Sequence, residues 1–136
     1  MSGLKIIIAF FVSFIIAQLT KTLAAYLRGE RNVKKYLLAS GGMPSGHSAG
    51  ISAAAVCIGL TDGFNSSIFG FAIVMAAIII YDSVNVRYAV GEQGKILNLL
   101  TKKKMKVVEG HTRREVVAGI LLGIVVGWMV YITFGA

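Results

Sequence analysis

Four stretches of the chain are apolar enough to be read as helices in lipid, and the polar residues enter them at particular places. Residues 4–27 are apolar up to Leu19 and then admit Lys21. Residues 48–60 form a shorter run rich in Ala, Gly and Ser. Residues 68–90 open with an unbroken apolar run to Tyr81 and continue into Asp82, Ser83, Asn85 and Arg87, whereas residues 115–134 are apolar almost throughout. A helix crosses a bilayer with ~20 apolar residues, because every backbone N–H and C=O must find its partner inside the segment. The pattern therefore predicts an all-α, polytopic membrane bundle of about four hydrophobic helices, forming one domain over residues 1–136. The second stretch is short for a span and also fits a re-entrant or protein-buried helix. The start of the first, Lys5 followed by an apolar run, also resembles a cleaved signal sequence, but the run is long for one and no small-x-small site follows.

Composition agrees with lipid as the solvent: 56% of residues are hydrophobic and the mean hydropathy is +0.75, well outside the range of soluble domains. The net charge of +8 then makes the position of each cation informative. Arg28, Arg31, Lys34 and Lys35 lie between the first two stretches, and Lys95, Lys102, Lys103, Lys104, Lys106, Arg113 and Arg114 lie in the loop expected over residues 91–114. With four spans both loops share one side, and the positive-inside bias makes that side cytoplasmic. The expected location is the cytoplasmic membrane. The basic run from Lys102 to Lys106 reads as a solvated face drawn to anionic lipid headgroups, not as a nucleic-acid surface. Cys57 has no cysteine to pair with and reads as a small buried apolar residue.

Glycines recur every fourth residue at Gly119, Gly123 and Gly127, and Ala49, Ala53 and Cys57 make a similar stripe on the second stretch. Such stripes let helix backbones approach closely, either within the bundle or across a homodimer interface.

The ionisable residues within the hydrophobic stretches collect on the basic side. Lys21 and Arg28 are seven apart, two helical turns, so two cations can converge on one anion; the alternative is snorkelling at a helix end. The run Gly41-Gly42-Met43-Pro44-Ser45-Gly46-His47-Ser48 leads into the second helix, with Ser45 placed to cap it. A helix N-terminus offers unpaired N–H groups and partial positive charge to a phosphate, with His47 beside it. His111 and Glu115 are four apart at the start of the last helix, so the carboxylate can hold and polarise the imidazole. Thr112 and Glu115 also fit a capping box, and the two roles are compatible. Arg87 has the fork to hold a phosphate, with Asp82 as its partner or as one half of a purely structural pair.

Together these residues resemble the type-2 phosphatidic acid phosphatase and vanadium haloperoxidase superfamily, whose motifs read Lys-x6-Arg-Pro, Pro-Ser-Gly-His and Ser-Arg-x5-His-x3-Asp. Pro44-Ser45-Gly46-His47 is complete. Lys21-x6-Arg28 keeps the spacing but is followed by Gly29, and His111-x3-Glu115 has Glu in place of Asp. Met105 stands where the third motif has its Arg. The extended patterns around Gly42 to Ser48, Asp82 to Gln93 and Glu109-Gly110-His111-Thr112 look like the divergent bacterial-type branch, over nearly the whole chain.

The resemblance implies a lipid-phosphate phosphatase acting on a polyprenyl or glycerolipid phosphate or diphosphate through a phosphohistidine. His111 is then the nucleophile, Glu115 its orienting group and His47 the acid that protonates the leaving alkoxide. Lys21, Arg28, Ser45, Gly46 and Arg87 surround the phosphate, with Arg87 supplying the missing cation and Asp82 and Glu109 in support. No cofactor or metal is required by this chemistry, though Asp82, Glu92 and Glu109 leave a place for Mg²⁺. The rival reading is a non-catalytic lipid- or anion-binding membrane protein or carrier using the same cationic pocket.

Overall fold

The computed structural model describes residues 2–30, 41–102, 105, 107 and 110–135, and every regular element among them is helical. The helices are α1 (Ser2–Leu27), α2 (Gly46–Asp62), α3 (Ser67–Val84), α4 (Val86–Thr101) and α5 (Arg113–Gly135). Glu109 and the cations Arg31, Lys34, Lys35, Lys103, Lys104 and Lys106 lie outside the described residues.

The expected helical membrane bundle is present. Three segments are long and apolar enough to cross a bilayer: Gly3–Leu27, Ser67–Thr101 and Arg113–Phe134. Their outward residues, among them Phe11, Ile15, Leu23, Ile73, Val74, Ile78, Leu121 and Trp128, are exposed large hydrophobics. In water such a surface would be untenable, but against acyl chains it loses nothing.

The short second helix sits at the centre, touching α5 most extensively, then α1 and α3. Eleven of its 17 residues are buried, so its small side chains serve contact with protein on several sides and not with lipid. That explains why it reads weakly as a span: Ala, Gly and Ser are what a central helix needs for close approach.

The two small-residue stripes meet each other. A Cβ added at Gly119 would run into the Ser45 carbonyl, one at Gly123 into the Ala49 carbonyl and one at Gly127 into the Ala53 carbonyl. The glycines of α5 thus seat directly on the backbone of α2, and the stripe that suggested a homodimer is used inside the chain. On the other flank, the Phe14 and Phe10 rings of α1 lie over Gly46 and Gly50. Deeper in the bundle, Ala9, Ala53, Cys57, Val126 and Val130 form the core that joins α1, α2 and α5.

One element departs from the expectation. The third stretch does not run on to residue 90 and then into a loop; it breaks at Asn85 (φ −110°, ψ −68°), whose N–H still bonds the Tyr81 carbonyl at 3.0 Å. Residues 86–101 then form a second helix. The polar residues Glu92, Gln93, Lys95 and Asn98 and two glycines made residues 91–101 look like loop. Val86, Val90 and Leu97, at helical spacing, are the signal for the helix that forms.

Candidate functional site

The site-bearing residues lie where α1 ends, α2 begins, α3 meets α4 and α5 begins, all at one end of the bundle. Each is held by local structure that the sequence dictates. At the entry to α2, Gly41 and Gly42 take left-handed conformations (φ 90° and 79°) that L side chains rarely adopt. Ser45 then caps the helix: its Oγ accepts the Ser48 N–H at 3.4 Å and the Ser48 hydroxyl at 3.0 Å. Its own N–H donates to the Glu115 carbonyl at 2.9 Å. Ser45 is fully buried; its side chain caps α2 and its amide joins α2 to α5. The amide donors left for an anion are those of Gly46 and His47, because the Ser48 and Ala49 N–H groups already bond Ser45. His47, one residue on, is exposed and meets the Phe14 ring edge to face, 5.7 Å between centroids.

His111 is preceded by described residues, Met105, Val107 and Gly110, that each lie against α4. Asn98 grips Met105 with two bonds, Nδ2–H to the Met105 carbonyl at 3.0 Å and Oδ1 from the Met105 N–H at 2.9 Å. Val107 lies against Gly94, and Gly110 lies so close to the backbone of Arg87 and Tyr88 that no Cβ fits there. His111 then donates its N–H to the Ser83 carbonyl at 3.1 Å. Three contacts on α4 and one on α3 deliver the imidazole, 3% exposed, to the α3–α4 junction.

The His111 ring is oriented from the other side. Its Nδ1 lies 3.0 Å from Oε2 of Glu115. The same oxygen accepts the Thr112 N–H at 3.1 Å, while Thr112 Oγ1 accepts the Glu115 N–H at 3.4 Å. The capping box and the histidine–carboxylate pair are therefore one assembly, as the spacing allowed. Burial pushes the His111 imidazole below its ordinary value; the Glu115 hydrogen bond raises it against that, and nearby Lys21 lowers it further.

His47, Arg87 and His111 line one narrow cavity of ≈ 20 Å³ with Ser83 and Ile79. A space of that size holds about one water. The Ser83 hydroxyl, buried beside it, has no hydrogen-bond partner among the described residues. A wider polar cleft of ≈ 320 Å³ opens on the other side of His111, lined by Val84, Asn85, Tyr88, Thr112 and Arg113.

The cations fall into different positions. Lys21 is 5% exposed, packs its stem beside Gly42 and lies near enough to Glu115 and both imidazoles to act on them electrostatically. Arg28 lies just past the end of α1 and is exposed. It sits about 10 Å further along the axis than Lys21 at 1.5 Å per residue. Arg87 bonds Asp82 through Nε to Oδ2 at 2.6 Å, both side chains being roughly half exposed. Arg87 thus belongs both to an ion pair at the α3–α4 junction and to the cavity between the histidines.

The chain as a whole has relatives elsewhere. The sequence model of the Divergent PAP2 family matches residues 3–126, which spans every helix except the end of α5. The chain belongs to the Divergent PAP2 family. It is also similar to the uncharacterized membrane protein YuiD of Bacillus subtilis (strain 168), at 29% identity over 133 aligned residues covering 82% of this chain and 84% of that protein. No solved structure matches.

Sequence reasoning gave no role to Asn98, and named Gly110 only within the pattern Glu109-Gly110-His111-Thr112; both touch no ligand position but hold residues that lead to His111. Gly110 has a readable signal, a glycine immediately before the candidate nucleophile. Asn98 has none, because its partner is the Met105 backbone.

Proposed function

We propose that this family member is a membrane-embedded phosphatase that hydrolyses a phosphate monoester or diphosphate on a lipid, through a phosphohistidine at His111. The observation that supports it best is that His47, Arg87 and His111, from three separate elements, border one cavity while Glu115 holds Nδ1 of the His111 ring. Glu115 engages Nδ1 and the Gly42 backbone also bonds the ring; in this reading Nε2 is the nitrogen that attacks.

In the first half-reaction Nε2 forms a bond to phosphorus as the bond to the lipid oxygen breaks. His47, protonated, gives its proton to the departing alkoxide. In the second, water attacks the phosphohistidine, His47 takes the water's proton, and inorganic phosphate leaves. Phosphoryl transfer asks the protein mainly for position and fixed positive charge. Lys21, Arg87 and the N–H groups at the start of α2 are the candidates for that charge, with Arg87 in the role that the superfamily's third-motif Arg fills. Arg28, exposed beyond α1, is suited to an outer part of the headgroup. Asp82 tethers Arg87, and Ser45 acts through capping. The positive-inside bias places this end of the bundle on the cytoplasmic side.

The pairing of Arg87 with Asp82 favours a second reading, an anion-binding membrane protein without chemistry. Purified protein in mixed micelles with a glycerolipid or polyprenyl phosphate separates the two. The phosphatase releases inorganic phosphate and loses that release in His111→Ala and in His47→Ala. A phosphorylated His111 is trapped by rapid acid-free quenching of the unsubstituted protein during turnover. Binding of the lipid with neither phosphate release nor a trapped phosphohistidine would leave the carrier reading in its place.

A further inference from the structure

The helix α4 presents a feature that the proposed chemistry does not use. At about 100° per residue, Val86, Ala89, Val90, Ile96, Leu97 and Leu100 fall on one arc of about 120°, with Gln93 the polar residue within it. Val86, Val90, Ile96, Leu97 and Leu100 are all exposed, Leu100 by 75%. The adjoining arc faces protein: Arg87 bonds Asp82, Gly91 is buried, Gly94 meets Val107 and Asn98 holds Met105; the remaining side carries Glu92 and Lys95 together with the exposed Tyr88 and Leu99. Among the described helices α4 packs on α3 alone.

Length decides where that apolar face can go. The continuous segment Ser67–Thr101 has 35 residues, about 52 Å as a straight helix. The hydrocarbon core is only ~30 Å thick. The 18 residues of α3 already cover about 27 Å of it, so α4 begins close to where the acyl layer ends, at the break at Asn85. Continuing straight on would put five large apolar side chains into water. Turned into the plane of the bilayer, the same side chains continue the lipid-facing surface of α3. Lys95, paired with Glu92 at 3.0 Å, then sits on the flank away from the acyl chains, and Lys102 ends the helix at headgroup level.

We infer that α4 is an interfacial helix, lying along the boundary between headgroups and acyl chains with the face of Val86, Val90, Ile96, Leu97 and Leu100 in lipid. Because the segment leading to His111 hangs on its other face, the membrane surface itself fixes the depth at which that segment is held. The proposal rests on exposure, length and packing, and stands whether or not His111 is a nucleophile.

Depth-resolved tryptophan quenching tests it on the full chain. Trp128 is first changed to Phe, and a single tryptophan is introduced as Leu97→Trp, Leu100→Trp or Lys95→Trp, each checked for retained helicity and size in detergent. The variants are reconstituted in phosphatidylcholine vesicles whose acyl chains are brominated either near the headgroup or near the chain ends. Leu97→Trp and Leu100→Trp should be quenched most by bromine near the headgroup and be shielded from aqueous iodide. Lys95→Trp should show the reverse preference, iodide over bromine. Strongest quenching of the Leu97 and Leu100 variants by bromine at the chain ends would mean a spanning α4 and overturn the inference. Quenching of them by iodide alone, or by neither agent because protein covers the face, would overturn it equally.

Discussion

Oε2 of Glu115 lies 3.0 Å from Nδ1 of His111 and at the same time accepts the Thr112 N–H at 3.1 Å. One carboxylate oxygen thus completes the cap of α5 and fixes the imidazole that precedes it. The two tasks share an atom but not an energy scale. A cap is a stability feature worth ~0.5–2 kcal/mol, whereas a carboxylate that sets the tautomer and orientation of a catalytic histidine acts on rate, by up to ~10⁴ in the best-studied triads.

That difference predicts opposite outcomes for two neighbouring substitutions. Thr112→Ala removes the Oγ1 half of the cap and should lower thermal stability by ~0.5–2 kcal/mol while phosphate release by the folded protein stays within a few-fold. Glu115→Gln keeps a side chain that can accept the Thr112 N–H but removes the charge opposite His111. It should reduce phosphate release by ~10²–10⁴ with little change in melting temperature. Equal activity in the Glu115→Gln protein would show that the pair is only a cap.

The protonation of His111 follows from its surroundings. Burial lowers its pKa, and the Glu115 hydrogen bond opposes this. The unfolded chain, with an imidazole near ~6.5, therefore binds the proton more readily than the folded protein. The group's contribution to stability is complete above that value and is lost as the pH falls through it towards the folded pKa. For the proposed chemistry the same shift keeps the His111 imidazole neutral in mildly acidic solution. Titration of His111 by NMR in the His47→Gln variant should give a midpoint below the ordinary imidazole range, and adding Glu115→Gln should lower it further. A midpoint above that range would contradict the balance of burial over pairing.

Much of this arrangement was legible in the chain, and the part that was not has a physical cause. The helices α1, α3 and α5 declare themselves by length and apolarity, and the capping box at Thr112 and Glu115 by spacing alone. The convergence of His47 and His111 needed four alternating hydrophobic segments, which bring residues 47 and 111 to one end of the bundle. Two things escaped. The helix α4 is half apolar and half polar, so neither a search for spans nor one for soluble helices marks it strongly. The route from α4 to His111 depends on contacts between Asn98 and the Met105 backbone and between Gly110 and the Arg87–Tyr88 backbone, and backbone partners leave no residue type to recognise. Ser45 shows the converse: its place in a known motif suggested a phosphate ligand, while its hydroxyl is occupied in capping α2 and its amide in holding α2 to α5.

Gly110 gives the most direct test of that route. A Cβ there would overlap the Tyr88 amide and the Arg87 carbonyl carbon, so Gly110→Ala must push the segment away from α4 and carry His111 with it. A misplacement of ~1 Å near the reacting atoms costs on the order of 10²-fold in rate. Gly94→Ala meets only the Val107 side chain, which can yield, and should cost far less. Phosphate release measured on both variants at matched helicity checks the contrast; equal losses would mean that the close approach at Gly110 does not govern the position of the imidazole.

The seat of α5 on α2 is predicted to behave as a backbone contact. At Gly123 an added Cβ would strike the Ala49 carbonyl and crowd Ser52 and the Ala53 amide, groups fixed in α2 that cannot rotate aside. Overpacking of this kind costs ~1–3 kcal/mol, so Gly123→Ala should melt earlier in detergent. Gly70 serves as the internal comparison: it lies within α3, is exposed, and a Cβ there meets nothing within 4 Å. Gly70→Ala relieves the conformational entropy of a helical glycine without a clash, and should leave stability unchanged or raise it by ~0.5–1 kcal/mol. Because α5 also carries Glu115, whose carbonyl accepts the Ser45 amide, the Gly123 variant should lose phosphate release along with its fold, at one common temperature. Thermal scans of helicity and of phosphate release, run on both variants, check this; activity lost well below the melting transition would mean that α2 and α5 separate at the site before the bundle opens.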